Sequence, residues 1–245
     1  MELKICHLYP DALNLYGDGG NVICLQKRLE WRGIDVSVEG CCVGDSLRAS
    51  DYDMFFIGAG QSFEQHVLLE DLLTKKAAEL RSACRDGKTF LAICGGMELM
   101  GTSCRDLNGA ETELAGVVDI SVEMGKNRFI GNYAFACEEL NGLEIVGFEN
   151  HQGRTRLGSD VKPLGKILCG HGNNGEDGTE GVRFANFFGS YGHGCLLPKN
   201  PVFADYILKT ALSAKYGTVE LAPLDDSFEL SARKFMLDRL LQTKD

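Results

Sequence analysis

Three apolar runs, "LKICHLY", "DMFFIGAGQ" and "KTFLAIC", each lead through a glycine-containing corner into a segment of helical period. The first helical segment, "VICLQKRLEWRG", carries Val22, Leu25 and Leu29 on one face, with Asn21 placed to cap it. The second carries Leu69, Leu72, Leu73, Ala77 and Leu80. With "IDVSV" as a further strand, the order reads β-α-β-β-α-β, and parallel neighbours of this kind need crossover connections. The expected class is therefore α/β, with helices on the faces of a parallel sheet.

After Gly101 strands follow strands: "VVDISVEMG", "RFIGNYAFACE" and "LEIVGFEN" are joined by short, turn-rich links, so the sheet is expected to become mixed. Asn200 is placed to cap a helix with Pro201 in its first turn and Phe203, Tyr206, Ile207 and Ala214 on one face. A last charged helix is expected from Asp225 to Asp245. With no internal repeat and no long linker, residues 1–245 read as one domain.

A formal net charge of -10 removes the basic excess that a phosphate backbone demands, which argues against nucleic acid as a partner. No apolar run approaches the roughly 18 residues of a membrane span, so the expected location is the cytoplasm. Ten cysteines, many inside apolar runs, fit a reducing compartment better than a disulfide framework. Zinc is disfavoured because Cys41 and Cys42 are adjacent and no CxxC pair occurs.

Within "KTFLAICGGMELMG", Cys94 stands where a strand turns sharply into a helix, followed at once by Gly95 and Gly96. Such a corner presents its side chain at the carboxyl edge of a parallel sheet, and the helix start beyond it favours thiolate over thiol. A nucleophile and a small buried hydrophobe ending a core strand both fit that spacing. A thiol nucleophile needs a base. His7 lies within the first strand and His66 on a surface helix, both more readily structural or solvent-facing, while His171 sits in the glycine-rich loop "GHGNNGEDGTEG". His151 in "GFENHQGRT" and His193 in "GSYGHG" both follow strand-like runs, and His193 repeats the geometry of the cysteine corner, which makes it the preferred base.

Together "LAICGGMELMG", "GSYGHGCLLPKNP", "GFENHQGRT" and "GHGNNGEDGTEGVRFANFFGSY" resemble the cobyric-acid-synthase type of class I glutamine amidotransferase, and within it the GatD family of glutaminase subunits of lipid II isoglutaminyl synthases. The resemblance runs from "LNLYGDGGN" to the final helix. It implies a flavodoxin-like three-layer α/β amidotransferase domain with a mixed, mainly parallel sheet. It implies that Cys94 attacks the side-chain amide of L-glutamine with His193 as base, that a γ-glutamyl thioester forms, and that ammonia leaves. The oxyanion hole would be built from Gly95 with Ala59 and Gly60 of the "GAG" corner, and Arg128 in "GKNRFIGN" would hold the substrate through its planar fork.

The partner implied is a Mur-ligase-like subunit, MurT, that binds ATP and Mg and activates the α-carboxyl of D-glutamate in the lipid II stem peptide. No cofactor is then expected in this chain. Consistently, "YGDGGN" has neither the GxxxxGK[ST] nor the GxGxxG spacing. Lipid II would be reached only through the complex. Two rival readings are an amidotransferase serving another carboxylate, such as a corrinoid, and a catalytically silent binding subunit. The first usually carries its synthetase domain on the same chain, for which 245 residues leave no room; the second is opposed by the presence of Cys94, His193 and Arg128. One departure stands out: where many class I amidotransferases place a glutamate two residues after the histidine, this chain has Cys195. The orienting acid would then be Glu149, beside His151, or a carboxylate supplied by the docked partner, the latter preferred.

Overall fold

The apolar runs near the N-terminus become β1 (Glu2–Leu8), β2 (Asp35–Cys41), β3 (Met54–Ile57) and β4 (Thr89–Ile93), all parallel. The computed structural model describes residues 1–60 and 62–242, with the side chains at 62–66 left undescribed, so His66 lies outside the described side chains. Every residue of β3 and β4 is buried, as expected of central parallel strands covered on both faces. The crossovers are α1 (Gly19–Glu30), and α2 (Ser62–Asp71) continuing through a π-helical turn at Leu72–Lys76 into α3 (Ala77–Arg85). The short α4 (Gly95–Leu99) follows β4.

Beyond α4 come β5 (Ser103–Arg105), β6 (Glu111–Glu113), β7 (Ile120–Cys137), β8 (Leu143–Leu157), β9 (Gly165–Cys169) and β10 (Thr179–Glu180). The chain then forms β11 (Val182–Phe184) and β12 (Phe187–Ser190), and closes with α5 (Leu196–Lys199), α6 (Pro201–Tyr216) and α7 (Ser227–Gln242). The first sheet has the order β11-β12-β4-β3-β1-β2, with β12 parallel to β4 and only the edge strand β11 antiparallel. It is the mixed, mainly parallel sheet expected of the α/β class. Phe55, Phe90 and Phe187 stack across β3, β4 and β12 at 4.7 and 5.7 Å between centroids.

The strands after Gly101 do not extend that sheet. They form a second one, β10-β9-β7-β5-β6 with β8 on β7, dominated by the long antiparallel β7–β8 hairpin. The hairpin register shifts between Met124 and Phe129, so residues 125–128 bulge out of the ladder. The principal hydrophobic core runs through both sheets, from Leu3 and Phe55 to Ile120, Phe135 and Ile145. A smaller cluster of Leu237 and Leu240 with Ala134 and Val146 seats α7 on the second sheet.

Two capping expectations fail for a tertiary reason. The residue preceding α1 is Asp18, and buried Asn21 instead accepts the Leu197 N–H at 2.9 Å. Asn200 does precede α6, with Pro201 first in the helix, yet its side chain bonds Val146 and Leu196. Among the described residues no helix is long and apolar enough to cross a membrane.

Candidate active site

Cys94 adopts φ 48° and ψ -112°, a conformation that costs an L-residue on the order of 1–3 kcal/mol and persists only where the surroundings enforce it. Enforcement is visible: the Cys94 N–H donates to the Ser190 carbonyl at 2.7 Å, and its own carbonyl accepts the Glu98 N–H at 2.9 Å. Gly96 allows the next step. A Cβ there would lie 2.5 Å from the Gly58 carbonyl oxygen and 2.7 Å from that of Ile57, so only glycine lets α4 start against the corner that ends β3.

His193 reaches the same edge from the neighbouring strand. Ser190, the last residue of β12, pairs with Ile93, the last of β4, so the segments carrying Cys94 and His193 leave the sheet side by side at its carboxyl edge. The His193 N–H bonds the Phe148 carbonyl at 2.7 Å, tying it to β8, and its ring meets Tyr16 edge-on at 5.0 Å between centroids. The side chain is fully buried, and neither ring nitrogen makes a hydrogen bond among the described residues. Facing Nδ1, at 3.5 Å, is Oδ2 of Asp18, also fully buried.

The electrostatics correct one expectation. Burial, followed by the charges of Glu98 and Asp18, pushes the Cys94 thiol well above its ordinary range; the Gly95 N–H and Arg128 oppose this without overcoming it. The resting site holds a thiol, because α4 has only five residues and its terminus does not offset burial together with the charges of Glu98 and Asp18. Glu98, one helical turn from Cys94, is itself raised by burial, against the pull of His151, the Tyr191 hydroxyl, His193 and Arg128. Tyr191 donates to its Oε1 at 2.9 Å.

Arg128 belongs to the bulge of the β7–β8 hairpin and is exposed. Its Nε and Nη2 donate to the side-chain and backbone oxygens of Asn150 at 2.8 and 2.9 Å, and the Asn150 amide in turn bonds the Tyr16 hydroxyl. This chain of contacts ends on the His193 ring. Ala59, expected among the oxyanion donors, spends its N–H on Asp18 Oδ2 at 3.0 Å. Gly95 directs its N–H at the Cys94 sulfur.

Glu149 does not serve His193. Its carboxylate takes the His171 ring nitrogen at 2.7 Å and the backbone N–H groups of His171 and Gly172, and lies 3.6 Å from His151 Nε2. Burial raises it, but the contacts from His151 and His171 hold it below the usual carboxylate range. His151 itself stacks on Tyr191 at 3.6 Å between centroids. Sequence reasoning missed Asp18, Tyr16 and Glu98. Only Glu98 carried a signal, its four-residue spacing from Cys94.

The profile of the CobB/CobQ-like glutamine amidotransferase domain matches residues 4–201. The chain is 40% identical over 227 residues to the lipid II isoglutaminyl synthase (glutamine-hydrolyzing) subunit GatD of Streptococcus pneumoniae, covering 92% of this chain and 86% of that one. To the subunit of the same name from Staphylococcus aureus it is 37% identical over 243 residues, covering 99% and 98%. Among solved structures it resembles PurLQS from Thermotoga maritima, with a TM-score of 0.60 at 18% identity over 87% of this chain and 99% of that one, a likeness of fold. The chain therefore belongs to the CobB/CobQ-like glutamine amidotransferase family and, within it, to the GatD subunits.

Proposed function

We propose that this chain is the glutaminase subunit of a lipid II isoglutaminyl synthase, hydrolysing L-glutamine through a thioester on Cys94 and passing ammonia to a Mur-ligase-like MurT partner. The observation that carries the reading is the strained Cys94 corner beside buried His193 at one sheet edge, in a chain 40% identical to a GatD subunit. Arg128 grips the glutamine carboxylate. Because the resting thiol keeps its proton, His193 takes that proton as Sγ attacks the side-chain amide carbon.

The oxyanion is received by the Gly95 N–H, with Gly60 on the facing loop the second expected donor. Collapse breaks the C–N bond, and the imidazolium returns the proton to the departing ammonia. Water, deprotonated by His193, then cleaves the thioester to release glutamate and restore the thiol. The ATP- and Mg-dependent activation of D-glutamate in the lipid II stem peptide belongs to the partner, and ammonia converts the activated α-carboxyl to the amide.

In the reconstituted complex, Cys94→Ser and His193→Ala lose glutamine-dependent amidation, the latter by about 10²–10⁴-fold, while both still use added ammonium. Glutamine-dependent amidation surviving in Cys94→Ser overturns the nucleophile. Failure of ammonium to restore either variant in an assembled complex overturns the division of labour.

A further inference from the structure

The buried carboxylate of Asp18 and the buried imidazole of His193 face each other at 3.5 Å with hydrogen-bonding capacity unused on both sides: among the described residues, Asp18 Oδ1 and both His193 nitrogens have no hydrogen-bond partner. Leaving such groups unsatisfied is costly, on the order of 1–3 kcal/mol each and more for a charge. Their alignment is maintained from two directions. The Asp18 loop is clasped to the histidine segment by Cys195 Sγ donating to the Gly17 carbonyl at 3.0 Å and by the Leu197 N–H donating to Asn21 Oδ1 at 2.9 Å. Asp18 Oδ2 is also fixed by the Ala59 N–H at 3.0 Å.

Resting on the glutaminase reading above, we propose that Asp18 is the positioning residue for His193, the acid of this dyad carried within the chain on the loop that Cys195 holds in place. Cys195 occupies the position two residues after the histidine. It turns away in a left-handed conformation, φ 52°, and its sulfur lies where a Cβ on Gly20 would stand, at 2.3 Å. The side chain at that position thus secures the loop bearing the acid instead of supplying one.

The chemistry follows from the geometry. With its proton on Nδ1 directed at Asp18, the neutral ring presents the Nε2 lone pair as the acceptor for the thiol proton. When the imidazolium forms, closing the 3.5 Å gap by a few tenths of an ångström makes a charge-assisted hydrogen bond of the usual length. No other described carboxylate is equivalent. Glu149 is bound to His171 and lies against His151, and Glu98 accepts from Tyr191. The other groups acting on this centre are the Cys94 thiol, Glu98 on α4, the Tyr16 ring and the Arg128 charge.

Asp18→Asn in the reconstituted complex is the test, since the amide oxygen still accepts the Ala59 N–H but cannot stabilise an imidazolium. The expected result is a loss in kcat for glutamine of about 10²–10⁴-fold with KM changed less than about threefold, of the kind seen when a catalytic histidine loses its acid. The acidic limb of kcat/KM moves to lower pH, because removing an anion beside the imidazole disfavours its protonation. In a His193→Ala background, Asp18→Asn produces no further slowing of Cys94 alkylation by a glutamine-mimicking electrophile. Should thermal melting show Asp18→Asn to be unfolded, Cys195→Ala carries the test, with a several-fold loss and the same direction of pH shift. Wild-type hydrolysis of glutamine with an unchanged Asp18→Asn rate and profile overturns the proposal alone. An equal loss with and without His193, or an unshifted pH profile in the folded variant, also overturns it by making the role structural. Absence of glutamine hydrolysis by the wild-type complex overturns the functional reading and the proposal together.

Discussion

Around Cys94 a helix start and the Gly95 N–H favour the sulfur anion, yet burial and the charges of Glu98 and Asp18 outweigh them, so reactivity has to come from substrate and base together. Alkylation of the resting protein at Cys94 by iodoacetamide is accordingly slow at pH 7 and rises about tenfold per pH unit to pH 9 without a plateau, because thiolate accumulates only as pH climbs toward a raised pKa. A glutamine-mimicking electrophile, recognised before it reacts, labels Cys94 ahead of Cys104 and Cys195; peptide mapping of the two reagents checks both statements, and a plateau below pH 8 would contradict the first. At Arg128 the shape of the group matters more than its charge. Nε and Nη2 are both engaged on Asn150, so Arg128→Lys keeps the cation but loses the fork that sets it. The expected effect is a rise in KM for glutamine of roughly tenfold, with kcat changed less; unaltered glutamine kinetics would reduce Arg128 to a surface side chain.

Elements show the same tension between local pattern and tertiary demand. The stripe from Leu69 to Leu80 reads as one helix, but Leu72 and Ala77, both buried, are five residues apart, and the chain meets that step with the π-helical turn. The turn places the Lys76 ammonium inside, paired with Asp71, which also accepts the Tyr9 hydroxyl at 2.8 Å and the Gly44 N–H at 2.9 Å. Asp71→Asn leaves the buried cation without its counter-charge and costs about 3–5 kcal/mol by denaturant unfolding. In the wild type, burial raises the carboxyl, but bonds from Lys76, Gly44 and Tyr9 hold it at about 2. Its contribution is full above the unfolded carboxylate range and disappears as pH falls from about 4 toward about 2, so the variant lacks that part of the acid unfolding profile. The parallel strands and the Cys94 corner were legible because continuous apolar runs and glycine punctuation are local signals. The capping roles of Asn21 and Asn200 were misread because distant partners, Leu197 and Val146, claim those side chains. The separate second sheet was not legible, since nothing local tells β7 to pair with β8, β9 and β5 rather than with the edge of the first sheet. Asp18 stayed hidden for a similar reason: its relation to His193 spans 175 residues of sequence and exists only in the folded chain.

The two sheets share the principal hydrophobic core, and a buried polar seam between them turns on Glu180. From β10 of the second sheet its Oε1 accepts the Ser190 hydroxyl at 2.9 Å, at the end of β12 in the first, and the N–H of the next residue, Tyr191, at 2.9 Å, together with the hydroxyl of Tyr133 on β7 at 3.1 Å. Its Oε2 has no hydrogen-bond partner among the described residues. Burial, the largest influence, lifts this carboxyl to about 7 despite those donors, with Glu149 adding to the rise. A carboxyl raised in this way favours the folded state most when neutral. Its stabilising effect is complete below the unfolded range near pH 4 and is lost as pH climbs through about 7. The joint between the sheets is therefore weaker at pH 8 than at pH 5, and β12, whose end it ties, leads into the segment that carries His193. Glu180→Gln removes the titration while its amide oxygen still receives Ser190 and Tyr191. The new NH₂ group stands where Oε2 lacked a partner, a cost of about 1 kcal/mol at every pH. Melting temperatures measured for both proteins from pH 5 to pH 8 should show the variant slightly below wild type at pH 5 and gaining on it steadily, overtaking it by pH 8. Parallel curves, or a variant that falls further behind as pH rises, would mean that Glu180 is already ionised in the folded protein and that the seam is held by charge rather than by a neutral acid.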